Sequence, residues 1–109
     1  MSAPVRLTRQ TALVLHAVAR GVRHGFDLLD ATGLPSGTVY PILRRLEGAG
    51  LLRSSWEPVR VARAAQRPPR RYYQVTGAGA EALREALRLH PDVVRARPRS
   101  SGGALPEPA

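Results

Sequence analysis

Arginine is the residue type whose placement points most directly to a chemistry in this sequence. All 17 basic residues are Arg, and with 8 acidic residues they give a formal charge of +9. A guanidinium group is permanently charged and presents a planar fork that suits phosphate oxygens and guanine edges. A GC-rich genome would enrich Arg over Lys, but it would not dictate where the arginines lie. The charge therefore predicts attraction to polyanions.

The arginines are concentrated in one segment. No acidic residue lies between Glu57 and Glu81, whereas five arginines do: Arg60, Arg63, Arg67, Arg70 and Arg71. Pro68 and Pro69 favour an extended backbone at the base of this segment. Residues 61–66 carry no strong signal for ordered structure, so we expect a basic loop.

Other chemistries find little support in the sequence. There is no Cys, and His16, His24 and His90 share no metal-ligand spacing. A phosphate-binding P-loop, a nucleophile elbow and a dinucleotide-binding glycine pattern are absent. The longest apolar run, residues 11–19, is too short to span a bilayer. We therefore expect no enzyme activity, no metal or other cofactor, no membrane association and a cytoplasmic location.

Two short helices are predicted ahead of the basic segments. Thr8 is placed to cap a helix that runs to about Arg20, where Gly21 stops it. Its wide apolar stripe marks it as a buried helix. A second helix spans about residues 25–31 and is expected to bury Phe26, Leu28 and Leu29.

The third helix carries the pattern on which the functional hypothesis depends. It follows a tight turn at residues 33–37, with Thr38 as the expected N-cap, and ends near residues 48–50. One face is apolar at helical spacing: Val39, Ile42, Leu43, Leu46 and Ala49. Gly37, Pro41, Arg44 and Gly48 lie opposite, so these residues are predicted to face outward.

The remaining pattern is two strands and a final helix. Residues 51–57 and 71–75 are predicted to pair as antiparallel strands. Thr76 is placed to cap a fourth helix over about residues 77–90, ended by Pro91. Residues 1–6 are expected to be an N-terminal arm, and the Pro- and Arg-rich residues 91–109 a disordered tail.

This order of elements predicts a mainly α winged helix-turn-helix domain over residues 7–90, in which the wing is the basic segment 58–71. Such a domain places one helix in the major groove of DNA while the wing contacts the backbone or minor groove. The expected DNA-binding residues lie on the third helix and on the wing: Ser36, Gly37, Thr38, Tyr40, Pro41, Arg44, Arg45, Arg60, Arg63, Arg67 and Arg70. Tyr40 has a second interpretation as cover for the edge of the core, and Trp56, Tyr72 and Tyr73 favour sheet packing over base stacking.

Several linked motifs also resemble a known family. Residues 37–52 (GTVYPILRRLEGAGLL), Trp56-Glu57, residues 67–76 (RPPRRYYQVT) with Gly79, and residues 24–28 (HGFDL) are similar to the signature of PadR-type transcriptional regulators. The resemblance covers about residues 7–90. It implies a dimeric bacterial winged-helix protein, usually a repressor, that binds a duplex DNA operator and is therefore associated with the nucleoid.

Two features depart from that family. Many members have a sizeable helical C-terminal region for dimerisation, whereas only one helix is predicted here before the tail. Homodimerisation is then expected through the first and last helices, using Leu7, Val14, Leu83 and Leu87, although these residues could equally close the core of a single chain. The wing is also longer and richer in Arg than usual, which favours stronger backbone contact.

Two other functions remain open from the sequence. The domain could be a protein-interaction module recruited to transcription machinery or to another regulator, with only nonspecific DNA affinity. RNA binding is a weaker hypothesis, because no platform for stacking single-stranded bases is evident.

Overall fold

The computed structural model describes residues 7–95, which form six helices and a two-stranded antiparallel sheet. The elements in chain order are α1 (Arg9–Ala19), α2 (Gly25–Thr32), α3 (Ser36–Gly48), β1 (Leu52–Trp56), α4 (Val59–Ala64), β2 (Arg71–Val75), α5 (Gly77–Leu89) and α6 (Asp92–Arg95). The predicted winged helix-turn-helix order is confirmed, with a helix added in the wing and another after α5.

Helix α1 is the centre of the core and begins as predicted. The hydroxyl of Thr8 accepts a hydrogen bond from the amide of Thr11, which satisfies one of the amides left free at a helix start. Gly21 has a φ of +107°, so the chain leaves the helix through a conformation that favours glycine. Ala12, Val14 and Leu15 are fully buried, and α1 packs against α2, α3, α5, α6 and β2.

Helix α2 matches its predicted span but not all of its predicted core residues. Leu28 is fully buried and Leu29 packs against the core at its edge. Phe26, in contrast, is 74% exposed, so its predicted burial is wrong. Residues two apart lie on nearly opposite sides of a helix, so burying Leu28 turns Phe26 outward.

Helix α3 begins at Ser36 with Pro35 as its N-cap, so the cap lies three residues earlier than predicted. The carbonyl of Pro35 accepts hydrogen bonds from the amides of both Thr38 and Val39. Thr38 therefore lies within the first turn, and its prediction as the N-cap is wrong. The predicted apolar face is confirmed for Val39, Ile42, Leu43 and Leu46, all of which are buried, whereas Ala49 is exposed after the helix end.

The strands pair antiparallel with Leu52 opposite Val75 and Trp56 opposite Arg71. Leu52 and Tyr73 point into the core, and the sheet packs on α1, α3 and α5. The hairpin is also joined to the chain ahead of α2, because the amide of Tyr73 donates to the carbonyl of Arg23.

Two predictions of irregular structure are wrong. Residues 59–64 of the wing form α4, in which Ala62 is only 1% exposed. Residues 92–95, predicted as the start of a disordered tail, form α6 with Val93 fully buried. Asp92 pairs with Arg9 at 2.5 Å, which fixes α6 to the start of α1. The predicted arm at residues 1–6 and the rest of the predicted tail lie outside the described residues.

The last long helix, α5, is capped by Thr76 as predicted, through a hydrogen bond that the threonine hydroxyl accepts from the amide of Gly79. The residues predicted for dimerisation, however, serve the core of the single chain. Leu7, Val14 and Leu83 are buried there, and Leu87 is half-buried against it. Most of the surface of Leu7, Val14 and Leu83 is therefore covered within the single chain, whereas Leu87 keeps part of its surface open.

Among residues 7–95, no helix combines the length and the apolar character that a membrane crossing requires.

The contact between α5 and the hairpin predicts a position-specific effect of adding one methyl group. A Cβ atom at Gly79 would collide with the carbonyl oxygen of Leu51 and lie 2.9 Å from Cγ1 of Val75. Because backbone must shift to relieve the collision, Gly79→Ala should lower the free energy of unfolding by about 2–3 kcal/mol in urea denaturation. The matched control is Gly77→Ala, whose added methyl group meets no atom within 4 Å. Equal stabilities of the two variants would contradict this packing.

Candidate nucleic-acid interface

The outer face of α3 is open to solvent. Because the opposite side is anchored in the core, the helix cannot rotate without exposing leucine and isoleucine side chains. Thr38 is half-buried, and the other predicted contact residues of this helix are exposed: Ser36, Gly37, Tyr40, Pro41, Arg44 and Arg45. The face therefore presents hydroxyl groups at its start and two guanidinium groups further along.

Tyr40 packs against α2 and stays partly exposed. Its ring covers the backbone at the start of α2 so closely that a Cβ atom on Gly25 would lie 2.7 Å from Cε1 and 3.0 Å from the hydroxyl oxygen. The side chain nevertheless remains 39% exposed. Tyr40 thus joins α3 to α2 while its accessible part stays on the outer surface.

A depression of about 210 Å³ lies beside Tyr40 and brings the base of the wing close to α3. Arg70 and Arg71 line it from the wing, and Tyr40 lines it from α3. The start of α2 contributes His24 and the exposed ring of Phe26. The base of the wing and Tyr40 of α3 therefore line the same depression.

The position of the hairpin relative to α3 is fixed by Glu47, a residue that sequence reasoning did not assign to the site. Its carboxylate accepts a hydrogen bond from the hydroxyl of Ser54 and lies 3.5 Å from Nη2 of Arg71. Arg71 in turn donates to Ser54 through Nε and Nη2, and its guanidinium lies 5.2 Å from the ring centre of Trp56. The sequence feature that could have pointed to this role is that Glu47 is the single acidic residue of α3.

A second acidic residue, Glu57, organises the wing from inside. It is 2% exposed, and its carboxylate accepts two hydrogen bonds from Arg67, at 2.5 and 2.8 Å. The hydroxyl of Tyr72 and the amide of Arg70 donate to the same carboxylate at 2.9 and 3.2 Å. These contacts lower the pKa of Glu57 to about 2, and the hydrogen bond from Arg67 is the largest cause. Burial acts in the opposite direction and raises the pKa, whereas the hydrogen bonds from Tyr72 and Arg70 lower it further.

The predicted wing arginines consequently divide into two groups. Arg60, Arg63 and Arg70 are exposed. Arg67 is half-buried, and its guanidinium is bound to Glu57 in a two-pronged ion pair. Its place is in the scaffold of the hairpin, so we remove it from the expected DNA contacts.

The aromatic residues of the strands differ in their burial. Tyr73 is buried, and the ring of Tyr72 lies 4.6 Å from that of His24, so the prediction of sheet packing is confirmed for both tyrosines. Trp56 is largely exposed and contacts the guanidinium of Arg71.

The three histidines lie apart from one another. His24 Nδ1 is 3.1 Å from Asp27, and His90 Nε2 is 3.3 Å from the carbonyl of Leu7. His16 Nε2 is buried without a hydrogen-bond partner among the described residues. The pKa of His16 is lowered mainly by this burial and, to a smaller extent, by the positive charge of Arg20. Within residues 7–95, no cluster of His, Asp and Glu has the composition of a metal site.

Comparisons with known proteins agree with this geometry. The family model described as the transcriptional regulator PadR-like family matches residues 14–85. A search of curated protein sequences finds no significant match.

Three solved structures are informative. A PadR family regulator from Clostridium difficile R20291 is 20% identical with a TM-score of 0.63, over 81% of this chain and 96% of that one. A PadR family regulator from Eggerthella lenta DSM 2243 is 28% identical with a TM-score of 0.57, and the match covers 80% of this chain and 79% of that one. Lactococcus lactis ZitR in complex with DNA is 17% identical with a TM-score of 0.61, over 86% of this chain and 60% of that one.

The buried carboxylate of Glu57 predicts a specific pH dependence of stability. Because its pKa is lower in the folded state than the ordinary value of 4.5, it contributes stability above that pH. This contribution is lost as the pH falls from about 4.5 towards about 2. Unfolding by urea at a series of pH values should therefore give a flatter curve for Glu57→Gln than for the unmodified protein. The exposed-carboxylate control Glu85→Gln should keep the original slope, and parallel curves for all three proteins would refute the role of Glu57.

Proposed function

The chain belongs to the PadR-like family of transcriptional regulators, and from this premise we propose that it is a sequence-specific repressor that binds duplex DNA in the bacterial cytoplasm. Membership of the family makes it a DNA-binding regulator of transcription rather than an enzyme. In the proposed complex, α3 lies in the major groove and the wing contacts the neighbouring backbone or minor groove. The complex forms at the nucleoid.

The observation that carries this proposal is the division of α3 into a buried and an open face. An α-helix fits the major groove, which is about 12 Å wide, and can present side chains to base edges there. Arg44 lies in the middle of the open face, and its guanidinium can donate two hydrogen bonds to guanine. Ser36, Thr38 and Tyr40 can donate to phosphates near the start of the helix.

The charge of the wing supports the same arrangement. Arg60, Arg63 and Arg70 are exposed, and Arg70 reaches the depression beside Tyr40. These side chains can neutralise phosphates without regard to base sequence, which supplies affinity while α3 supplies specificity. The structure of ZitR, which has this fold, was solved in complex with DNA, and this supports duplex DNA as the ligand.

We propose a homodimer on a pseudo-palindromic operator, with half-sites about one helical turn apart. The apolar surface available for it lies near the end of α5 and on α6. Leu89 and Val94 are exposed there, and Leu87 is half-buried. This surface replaces Leu7, Val14 and Leu83, which the core already covers.

A protein-interaction module is the second candidate, favoured by the exposed ring of Phe26 beside the basic surface. A gel shift with a duplex obtained by binding-site selection separates the two functions. Saturable binding that resists bulk competitor DNA at physiological salt supports the regulator. A shift that competitor DNA abolishes supports the interaction module.

The assignment of Arg44 to base contact gives a sharper prediction. Arg44→Ala should weaken the preference for guanine at one position of each half-site by about 1–3 kcal/mol, because a paired contact to a base edge is lost. Binding-site selection on the unmodified and variant proteins measures this preference directly. Arg84→Ala, which removes an exposed arginine of α5, is the matched control. An unchanged base preference in Arg44→Ala would remove Arg44 from direct readout.

A further inference from the structure

The tip of the wing is a helix. The first residues after β1 turn directly into α4, a six-residue helix that begins at Val59. Beyond it, the amide of Arg67 donates back to the carbonyl of Ala62 at 3.1 Å, so the chain is folded onto the helix end before it returns to β2.

The two ends of the wing are joined by a set of hydrogen bonds centred on Glu57. The amide of Glu57 donates to the carbonyl of Arg70 at 2.8 Å, which joins the two ends of the wing. The buried carboxylate of Glu57 holds Arg67 and the hydroxyl of Tyr72 from the same side. The wing is therefore a braced unit: the ion pair of Glu57 and Arg67 lies at its base, and the backbone hydrogen bond from Arg67 to Ala62 links that base to the end of α4.

This brace determines which arginines of the wing are available. Arg60 and Arg63 are three residues apart, so their side chains leave neighbouring positions on the helix surface, about 5–6 Å apart at Cβ. Burial of Ala62 turns Arg60 to the opposite, outward side. Among residues 7–95, neither Arg60 nor Arg63 has an ion-pair partner, whereas Arg67 and Arg71 do.

The size of the helix limits where this unit can bind. An α-helix with its side chains is about 10–12 Å across, whereas the minor groove of B-DNA is about 6 Å wide. A helix of this width does not fit into an undeformed minor groove, so the backbone of α4 is expected to stay outside it. Phosphates are distributed along the outside of each strand at about 3.4 Å of helix axis per charge, within reach of two arginines on adjacent helix positions.

We propose that the wing is a helical clamp on the phosphate backbone, in which α4 lies against one strand and Arg60 and Arg63 contact neighbouring phosphates outside the minor groove. This inference rests on the proposed function and specifies how the wing carries it out. The contact is independent of base sequence and depends on the folded state of α4.

The salt dependence of binding tests the clamp. Each phosphate contact contributes about 0.9 to the slope of log affinity against log salt concentration. Because the proposed homodimer brings two wings to the operator, the slope should fall by about 1.8 in Arg60→Ala, by a similar amount in Arg63→Ala, and by about 3.6 in the double variant. The charge-matched control Arg84→Ala should keep the original slope. An unchanged slope in the double variant, with binding by the unmodified protein intact, overturns the clamp but leaves the proposed function standing.

Two duplexes of equal length, one A·T-rich and one G·C-rich, separate the clamp from insertion of arginines into the minor groove. A·T-rich tracts have a narrow minor groove that attracts inserted arginines. A clamp predicts the same loss of affinity on both duplexes in the double variant. A loss concentrated on the A·T-rich duplex overturns it. Failure of the unmodified protein to bind either duplex at low salt overturns the proposed function itself.

A third variant tests the helix without removing a charge. Ala64 is exposed at the end of α4, and its replacement by proline removes a helix hydrogen bond without touching the core. Ala64→Pro should lose affinity on both duplexes, whereas Ala64→Gln should bind as the unmodified protein does. Circular dichroism and thermal melting of both variants check that the rest of the domain stays folded. Equal affinities of Ala64→Pro and Ala64→Gln would show that an unfolded wing suffices and would overturn the clamp.

Discussion

Burial of one side of α3 is the constraint on which the rest of the surface depends. Four apolar side chains of that helix are almost completely removed from water: Val39, Ile42, Leu43 and Leu46. Each contributes about 1.5–3 kcal/mol by leaving water, so the helix has one stable rotation about its axis. Arg44 and Pro41 face outward as a consequence. The same apolar packing that stabilises the fold thus also sets which side of α3 faces the solvent.

The few acidic residues of this basic chain have a second organising role. Glu47 fixes the hairpin to α3 through Ser54 and Arg71, and Glu57 closes the wing through Arg67. Each carboxylate occupies an arginine that would otherwise add to the diffuse positive charge. The arginines that remain free, Arg60 among them, lie on elements whose positions those pairs define. These two pairs thus decide which arginines of the hairpin and wing stay exposed.

The sequence was sufficient where periodicity is local. It predicted the buried face of α3, the bounds of β2 and the Thr76 cap, because each depends on residues within one element. It failed where order comes from partners distant along the chain. The wing helix lies between Glu57 and Arg67, which the hairpin brings together as an ion pair, and α6 buries Val93 against the core while Asp92 pairs with Arg9. Propensity alone could not show that these partners exist.

Chemical footprinting on a duplex obtained by selection can show whether α3 occupies the major groove while the wing lies on the adjoining strand. Methylation at guanine N7 reports the major groove, methylation at adenine N3 reports the minor groove, and hydroxyl-radical cleavage reports the backbone. The account predicts protected guanine N7 positions flanked by a protected stretch of backbone, with adenine N3 beside it still reactive. Fully reactive guanines together with protected adenine N3 positions would contradict it.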